Sequence, residues 1–255
     1  MTTPDSSLRD ASAAMQEGRF DDALPLISGV FGQIASGDPQ AAPLYPVTMF
    51  LWSQLAAQSE PARATLAQLR GYHADLLMGG DAEFMKHGDA AQLSRFALIV
   101  QMDQALNYKR STYKLFTLLM QAQPVLANRE AFLALPAIVD AGDFALADRI
   151  LGNPLDGLEE LNGLSVLYPL VPAPDQAPRL AAELSNFIRN VLMRATVLRG
   201  LGRDAEADVV VNKAKNGIVA KDMRALAERE FAAPGTIMQE LAAMRERHHA
   251  QSSLS

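Results

Sequence analysis

Three times along the chain, a stretch with helical periodicity ends at a glycine, and an alanine follows five residues after that glycine. Glycine adopts the left-handed conformation that ends a helix without a steric penalty. The alanine is small enough to let the next helix approach the previous one closely. This pattern predicts antiparallel helical hairpins, with the aromatic residue of the first two sites packing over its turn. The three segments are Gly18–Ala23, Gly142–Ala147 and Gly202–Ala207.

The remaining sequence also favours helix. Much of the apolar content is Ala, Leu and Met, whereas aromatic residues make up only 6% of the chain, and pleated sheets prefer β-branched and aromatic residues. Pro124 and Pro136 are predicted to break or kink their helices. No stretch predicts a strand convincingly. Helices are expected over residues 8–17, 21–34, 47–58, 61–78, 93–106, 113–121, 128–141, 181–201, 204–218, 222–231 and 235–248.

The hairpin pattern resembles the tetratricopeptide repeat, which places small and apolar residues at set distances around such a turn. The match is broadest around Gly202, where five positions fit: Ala195, Leu198, Ala207, Val211 and Ala214. The resemblance implies an all-α fold of antiparallel helical hairpins, packed either as a tetratricopeptide-like α-solenoid or as an irregular helical array. It also implies that the first helix of each hairpin lines a concave groove for a peptide.

Helix signals are weakest between Gly152 and Pro178, where prolines and glycines are frequent. We therefore predict an N-terminal helical region over residues 1–151, a Pro/Gly-rich connection over 152–178 with a short helix near 158–161, and a C-terminal helical hairpin region over 179–255. One continuous unit is the expected arrangement.

Composition excludes several classes of protein. The chain has no cysteine, so it can form neither disulfides nor thiolate metal sites. Its net charge of −6 argues against nucleic acid as the main partner. We see no secretory signal at the N-terminus and no apolar run long enough to span a membrane. A cytoplasmic, bacterial protein is expected.

Catalytic and cofactor motifs are absent from the sequence. The four histidines are His73, His87, His248 and His249, and no two of them have the i, i+4 spacing of a helical zinc site. Phosphate-binding glycine loops and nucleophile elbows are also missing. We expect no catalytic residue, no metal and no cofactor, although an enzyme with scattered catalytic residues stays open.

Two polar clusters are candidate binding sites. On the helix before Gly202, polar residues form a face that could hold the main chain or terminal carboxylate of a bound peptide. Its candidate residues are Asn186, Arg189, Asn190, Thr196 and Arg199, with Arg194 on the same predicted polar stripe. A second, basic and aromatic patch could bind an anionic group. It comprises Tyr108, Lys109, Arg110, Tyr113 and Lys114. For both clusters, an ordinary solvated helix face is the alternative.

These patterns favour a non-catalytic scaffold or adaptor that binds a partner protein or peptide. Two alternatives stay open. One is an enzyme, or the helical accessory subunit of one, with its site near residues 107–114 or 152–178. The other is a dedicated chaperone for a secreted or toxic partner.

Overall fold

A computed structural model describes residues 3–85, 93–173 and 176–252. It shows the predicted all-α fold and divides into two compact units, residues 1–141 and 142–255, hereafter the first and second units. The helices of the first unit are α1 (Pro4–Gln16), α2 (Phe20–Ala35), α3 (Tyr45–Gln58), α4 (Glu60–Met78), α5 (Arg95–Leu106), α6 (Ser111–Ala122) and α7 (Pro124–Asp140). Those of the second unit are α8 (Phe144–Ile150), α9 (Leu158–Leu167), α10 (Arg179–Gly200), α11 (Asp204–Gly217), α12 (Lys221–Ala232) and α13 (Thr236–Ser252).

Consecutive helices of the first unit pack against each other, and alternate helices also lie side by side. Helix α3 contacts α1 and α5, and α5 in turn contacts α7. The core between these helices is built around Trp52, Leu55 and Leu66, whose side chains are fully buried. The α3–α5–α7 row gives the first unit one continuous helical surface.

The glycine turns have the predicted conformation. Gly18, Gly142 and Gly202 have φ angles of +73°, +80° and +74°, the left-handed region that favours glycine. The alanines five residues later, Ala23, Ala147 and Ala207, are fully buried. Helices α1 and α2 pack together across the Gly18 turn, and α10 and α11 pack together across the Gly202 turn.

Two short elements depart from the predicted helical pattern. Strands β1 (Glu83–Met85) and β2 (Leu93–Ser94) form an antiparallel pair. Ser94 caps α5 by accepting a hydrogen bond from the Ala97 amide, and its hydroxyl donates to Glu130 of α7 at 2.8 Å. The strand pair therefore fixes the start of α5 against α7.

The break predicted at Pro124 is confirmed, because α6 ends at Ala122 and α7 begins at Pro124, whereas the break predicted at Pro136 is wrong. Pro124 is the first residue of α7, where its missing N–H costs no hydrogen bond. The same helix continues through Pro136, whose neighbours Leu135 and Ile138 are buried. Burial of this helix face outweighs the hydrogen bond that proline removes, because tertiary packing supplies most of the stability of a helix.

Helix α10 is central to the second unit and packs against α8, α9, α11, α12 and α13. Two glycines allow close packing in this unit. A methyl group at Gly200 would overlap the Phe144 ring, and one at Gly217 would overlap Leu158. Glu230 is a buried carboxylate that accepts hydrogen bonds from the Gly235 and Ile237 amides, both at 2.8 Å, at the start of α13.

Residues 152–173 and 176–178 of the predicted connection lie in the second unit. They contain a 3-10 turn, Pro154–Gly157, and helix α9, which is longer than the predicted short helix. Asn162 of α9 donates a hydrogen bond to the Gly217 carbonyl at 2.9 Å and accepts one from the Val219 amide at 3.0 Å. The segment is therefore attached to the turn after α11.

None of the helices in the described ranges combines the length and apolar content needed to cross a bilayer.

Candidate binding surfaces

A shallow groove of about 570 Å³ runs between α3 and α5. Phe50, with 59% of its surface exposed, is its most prominent apolar residue, and the carboxamides of Gln101 and Gln104 lie on the α5 side. Among the described residues that line the groove, none is charged. They are Tyr45, Pro46, Met49, Phe50, Ser53, Gln101, Gln104 and Ala105.

A second cleft of about 260 Å³ lies between α5 and α7, next to the turn that follows α5. Its apolar wall includes Leu133, Pro136 and Ala137 of α7, and its polar wall includes Lys109 and Asp140. Gln104 lines this cleft as well as the groove. Groove and cleft therefore form one surface, which we call the neutral face: Phe50, Gln101, Gln104, Tyr108 and Leu133 are its principal residues.

The α3 and α5 parts of the neutral face carry no exposed charge, because the α3 segment has no charged residue and those of α5 are buried. From Pro39 to Ser59 the sequence has no Asp, Glu, Lys or Arg. Helix α5 has two charged residues, Arg95 and Asp103, and both are buried, with 6% and 3% of their surface exposed. The outward sides of these two helices are therefore uncharged.

Asp103 is satisfied beneath the cleft by three side-chain hydrogen bonds. Arg70 of α4 donates two of them, at 2.8 and 3.1 Å, and Thr112 of α6 donates the third at 2.9 Å. This pairing joins α4, α5 and α6 at one carboxylate. Because a buried carboxylate held in this way has its hydrogen-bonding capacity largely used, Asp103 is suited to holding the cleft together and not to acting on a ligand.

Arg95 forms a second buried network at the start of α5. It donates to Nδ1 of His73 at 2.6 Å and to the Asp81 carboxylate at 2.7 Å. The His73 ring also packs in a T-shaped arrangement with the rings of Phe31 and Phe84. Burial, with the nearby Arg95 charge, lowers the pKa of His73 to about 4, so the ring is neutral near pH 7 and accepts the hydrogen bond from Arg95.

Tyr45 orients one of the groove carboxamides. Its hydroxyl donates to Oε1 of Gln101 at 2.7 Å, and burial raises the pKa of this phenol. The amide NH2 of Gln101 has no partner within the described part of the chain, and neither end of the Gln104 carboxamide has one. Both glutamines thus retain hydrogen-bonding groups for a ligand.

The predicted basic patch straddles the end of one helix and the start of the next. Helix α5 ends at Leu106, and Asn107 has a left-handed φ of 57°, so residues 107–110 form a turn. Tyr108 and Lys109 line the α5–α7 cleft, whereas Tyr113 and Lys114 lie in the first turn of α6. Arg110 precedes that helix, and the Lys114 amide donates to its carbonyl. The structure therefore divides the patch between the cleft and the α6 start.

The α10 candidates are mostly exposed. Asn186, Arg189, Thr196 and Arg199 are exposed, and Asn190 is half-buried. Most of these side chains already have partners: Arg189 donates to Asn186 at 3.0 Å, Arg199 to Asp208 at 2.9 Å and Thr196 to the Leu192 carbonyl. We call the five residues the polar stripe.

Arg194 does not belong to this stripe. It pairs with Asp148 of α8 at 2.5 Å, and the same carboxylate also contacts Arg203 at 3.5 Å. Its role is therefore to attach α8 to α10. The 46 residues that separate the partners explain why helical spacing could not reveal this contact.

Sequence reasoning missed Phe50, Gln101, Gln104 and Leu133. One signal was available, the absence of charge from Pro39 to Ser59. The two α5 glutamines gave no comparable signal, because only the fold shows that Arg95 and Asp103 point inward and leave the glutamines on the outside.

Within the described residues, no group of three or more His, Asp or Glu side chains could hold a metal ion. His73 is committed to Arg95, His87 lies outside the described residues, and the side chains of His248 and His249 are also outside them.

Comparison with known proteins gave no relatives: no family model, no curated protein and no solved structure matches this chain.

Proposed function

We propose that this protein is a non-catalytic scaffold or adaptor that binds a partner protein through the neutral face of its first unit. The observation that carries the proposal is an exposed helical surface whose α3 and α5 sides are uncharged, in a chain of which 20% of the residues are charged. Depletion of charge, together with exposed aromatic residues, distinguishes the centre of a protein interface from ordinary surface.

Exposed apolar side chains support this use of the surface. Phe50, Tyr108 and Leu133 have 59%, 41% and 42% of their surface exposed. A partner that covers them removes apolar area from water at a gain of roughly 25 cal/mol per Å². Aromatic residues at the centre of an interface commonly supply much of the binding energy, so Phe50 is the expected anchor.

The cleft gives less support to the enzyme alternative. It is small and open to solvent, and of its acidic residues Asp103 is held by Arg70 and Thr112. Lys109 and Asp140 are the remaining charged residues in its described lining. Because their charges are opposite, they also give the cleft no net preference for an ionic substrate.

The polar stripe on α10 is the competing surface. Its two arginines are paired with Asn186 and Asp208, so a ligand would have to displace these contacts. An interface centred there would depend on charge and would weaken with added salt.

The proposal includes the cytoplasm as the compartment, because a chain without cysteine gains nothing from an oxidising environment.

The test is a pull-down with the tagged full-length chain from a lysate of the organism that makes it, performed in parallel with two variants. Phe50→Glu combined with Leu133→Glu places two charges on the neutral face. The matched control is Val209→Glu on α11, where a side chain of similar exposure, 50%, lies in the second unit.

We expect a stoichiometric partner that the control variant retains and the double variant loses. Fluorescence of Trp52, the single tryptophan, which is buried in the first unit, verifies that the double variant remains folded, and the helical content by circular dichroism verifies the same for Val209→Glu. Partners that bind all three proteins equally would contradict the assignment of function to this face.

A further inference from the structure

We propose that the neutral face binds an extended, uncharged segment of the partner, and that the carboxamides of Gln101 and Gln104 form hydrogen bonds with the main chain of that segment. This inference rests on the proposed function, because it assumes that the neutral face is the binding surface. It specifies the conformation and chemistry of what binds there.

The available hydrogen-bonding groups favour an extended occupant. Gln101 offers its amide NH2, because its oxygen accepts from Tyr45, and Gln104 offers both a donor and an acceptor. An extended segment presents unsatisfied N–H and C=O groups along its length. A helix satisfies those groups internally and would leave both glutamine carboxamides without main-chain partners.

The lining of the groove selects against charge in the middle of the segment. A charged side chain placed against Phe50, Met49 and Pro46 would lose hydration without gaining a partner. Lys109 and Asp140 lie only at the α7 end of the surface, and they carry opposite charges. The favoured segment is therefore apolar and uncharged where it crosses α3 and α5.

The helix row also sets the length of the segment. Packed helices lie about 8–10 Å apart, so a crossing from α3 over α5 to α7 covers roughly 16–20 Å. At about 3.3 Å per residue, an extended chain covers this distance with roughly five or six residues. Alternate side chains of such a segment point towards the surface, which gives two or three of them access to the groove and the cleft.

The experiment is selection of random phage-displayed peptides of about twelve residues on the immobilised full-length chain, with counter-selection on the Phe50→Glu variant. Selected peptides are then synthesised with an acetylated N-terminus and an amidated C-terminus, and their affinity is measured by fluorescence polarisation. We expect uncharged sequences with apolar residues at alternate positions, and binding that weakens roughly tenfold or more in Phe50→Glu.

A second variant tests the main-chain contacts. Gln104→Ala is expected to weaken binding roughly threefold to tenfold. Gln54→Ala is the matched control, because Gln54 is an exposed glutamine of α3 outside the described groove lining, and its removal is expected to leave affinity unchanged. Affinity should also change less than about twofold between about 50 and 500 mM NaCl, since no ion pair is involved.

Three results would overturn the inference. Peptides with apolar residues at i, i+3, i+4 and i+7 whose binding depends on Phe50 would show a helical occupant, and the proposed function would survive. A dimer of the chain in light scattering that Phe50→Glu dissociates would show that a second copy occupies the face. Failure to recover any Phe50-dependent peptide would also count against an extended segment, and the pull-down would then decide the proposed function independently.

Discussion

The neutral face of the first unit and the polar stripe of α10 use charge in opposite ways. On α5, Arg95 and Asp103 are buried and paired, and uncharged glutamines face solvent. On α10, Arg189 and Arg199 face solvent and are paired with their neighbours. On α5, charge therefore stabilises the interior and the outward side chains are uncharged carboxamides, whereas the α10 side chains are engaged within their own unit. The number of polar residues in a sequence does not reveal which surface is available for binding.

The sharpest test of this contrast is removal of the buried carboxylate. Asp103→Ala leaves the Arg70 guanidinium without its partner, and such a change costs about 3–5 kcal/mol of stability. We expect an earlier urea transition in Trp52 fluorescence, which reports on the first unit. Asp208→Ala breaks the exposed Arg199 pair, whose side chains are 49% and 66% exposed, and should leave both the Trp52 transition and the circular dichroism transition, to which helices of both units contribute, unchanged. Equal effects would refute the contrast.

The next largest effect concerns pH. The pKa of His73 is about 4 in the folded protein and about 6.5 in an unfolded chain, so the unfolded state takes up the proton first as pH falls. Stability is therefore full above pH 6.5 and is lost progressively down to about pH 4, by about 3 kcal/mol in total. Urea transitions of Trp52 at pH values between 7 and 5 measure the upper part of this loss. The His73→Gln variant, which does not titrate there, should show a flatter profile, and an identical profile would exclude His73 as the cause.

A smaller effect is expected in the second unit, where the test is a close contact between the main chain of α10 and an aromatic ring of α8. Gly200→Ala brings a methyl group into the Phe144 ring, and overpacking of this kind costs about 1–3 kcal/mol. The gain in helix propensity offsets at most about 1 kcal/mol. Helices of both units contribute to circular dichroism, so the part of its transition that does not coincide with the Trp52 transition should shift, while the Trp52 transition does not. Adding Phe144→Leu should restore stability in part, and if it does not, steric overlap is not the cause.

The smallest effect concerns binding by the polar stripe. Arg189→Glu together with Arg199→Glu reverses two charges of the stripe, and we expect less than about a twofold change in the affinity of a partner held by uncharged contacts. The measurement is titration of the partner recovered by pull-down, with the Phe50→Glu variant alongside for comparison. A large loss in the double charge reversal would transfer the binding function to α10.

The helices were predictable because they depend on local signals. The three left-handed glycines and the buried alanines that follow them were correctly predicted, and helical spacing located α10 within two residues at each end. The break predicted at Pro136 was wrong because the cost of a proline is local, whereas the burial of Leu135 and Ile138 that compensates for it is tertiary. The tetratricopeptide-type solenoid stays a prediction.

The candidate surfaces were less predictable because they depend on contacts between distant residues. Arg194 could not be assigned to Asp148 from spacing, and the turn at residues 107–110 separated Lys109 from Tyr113. The uncharged stretch around Phe50 was visible in the sequence. The sequence did not show that this stretch forms an exposed surface, because an apolar helix is equally expected at the centre of a core.

The position of Gln104 has a consequence for how tightly a segment can be held. Because this residue lines both the α3–α5 groove and the α5–α7 cleft, a chain seated in one compartment already has its next residues at the entrance to the other. The second contact is then intramolecular and forms at a high effective concentration. The groove and the cleft, each of which binds weakly alone, can thus together hold a segment for a long time. A substitution confined to either one would shorten the lifetime of the complex without abolishing recognition.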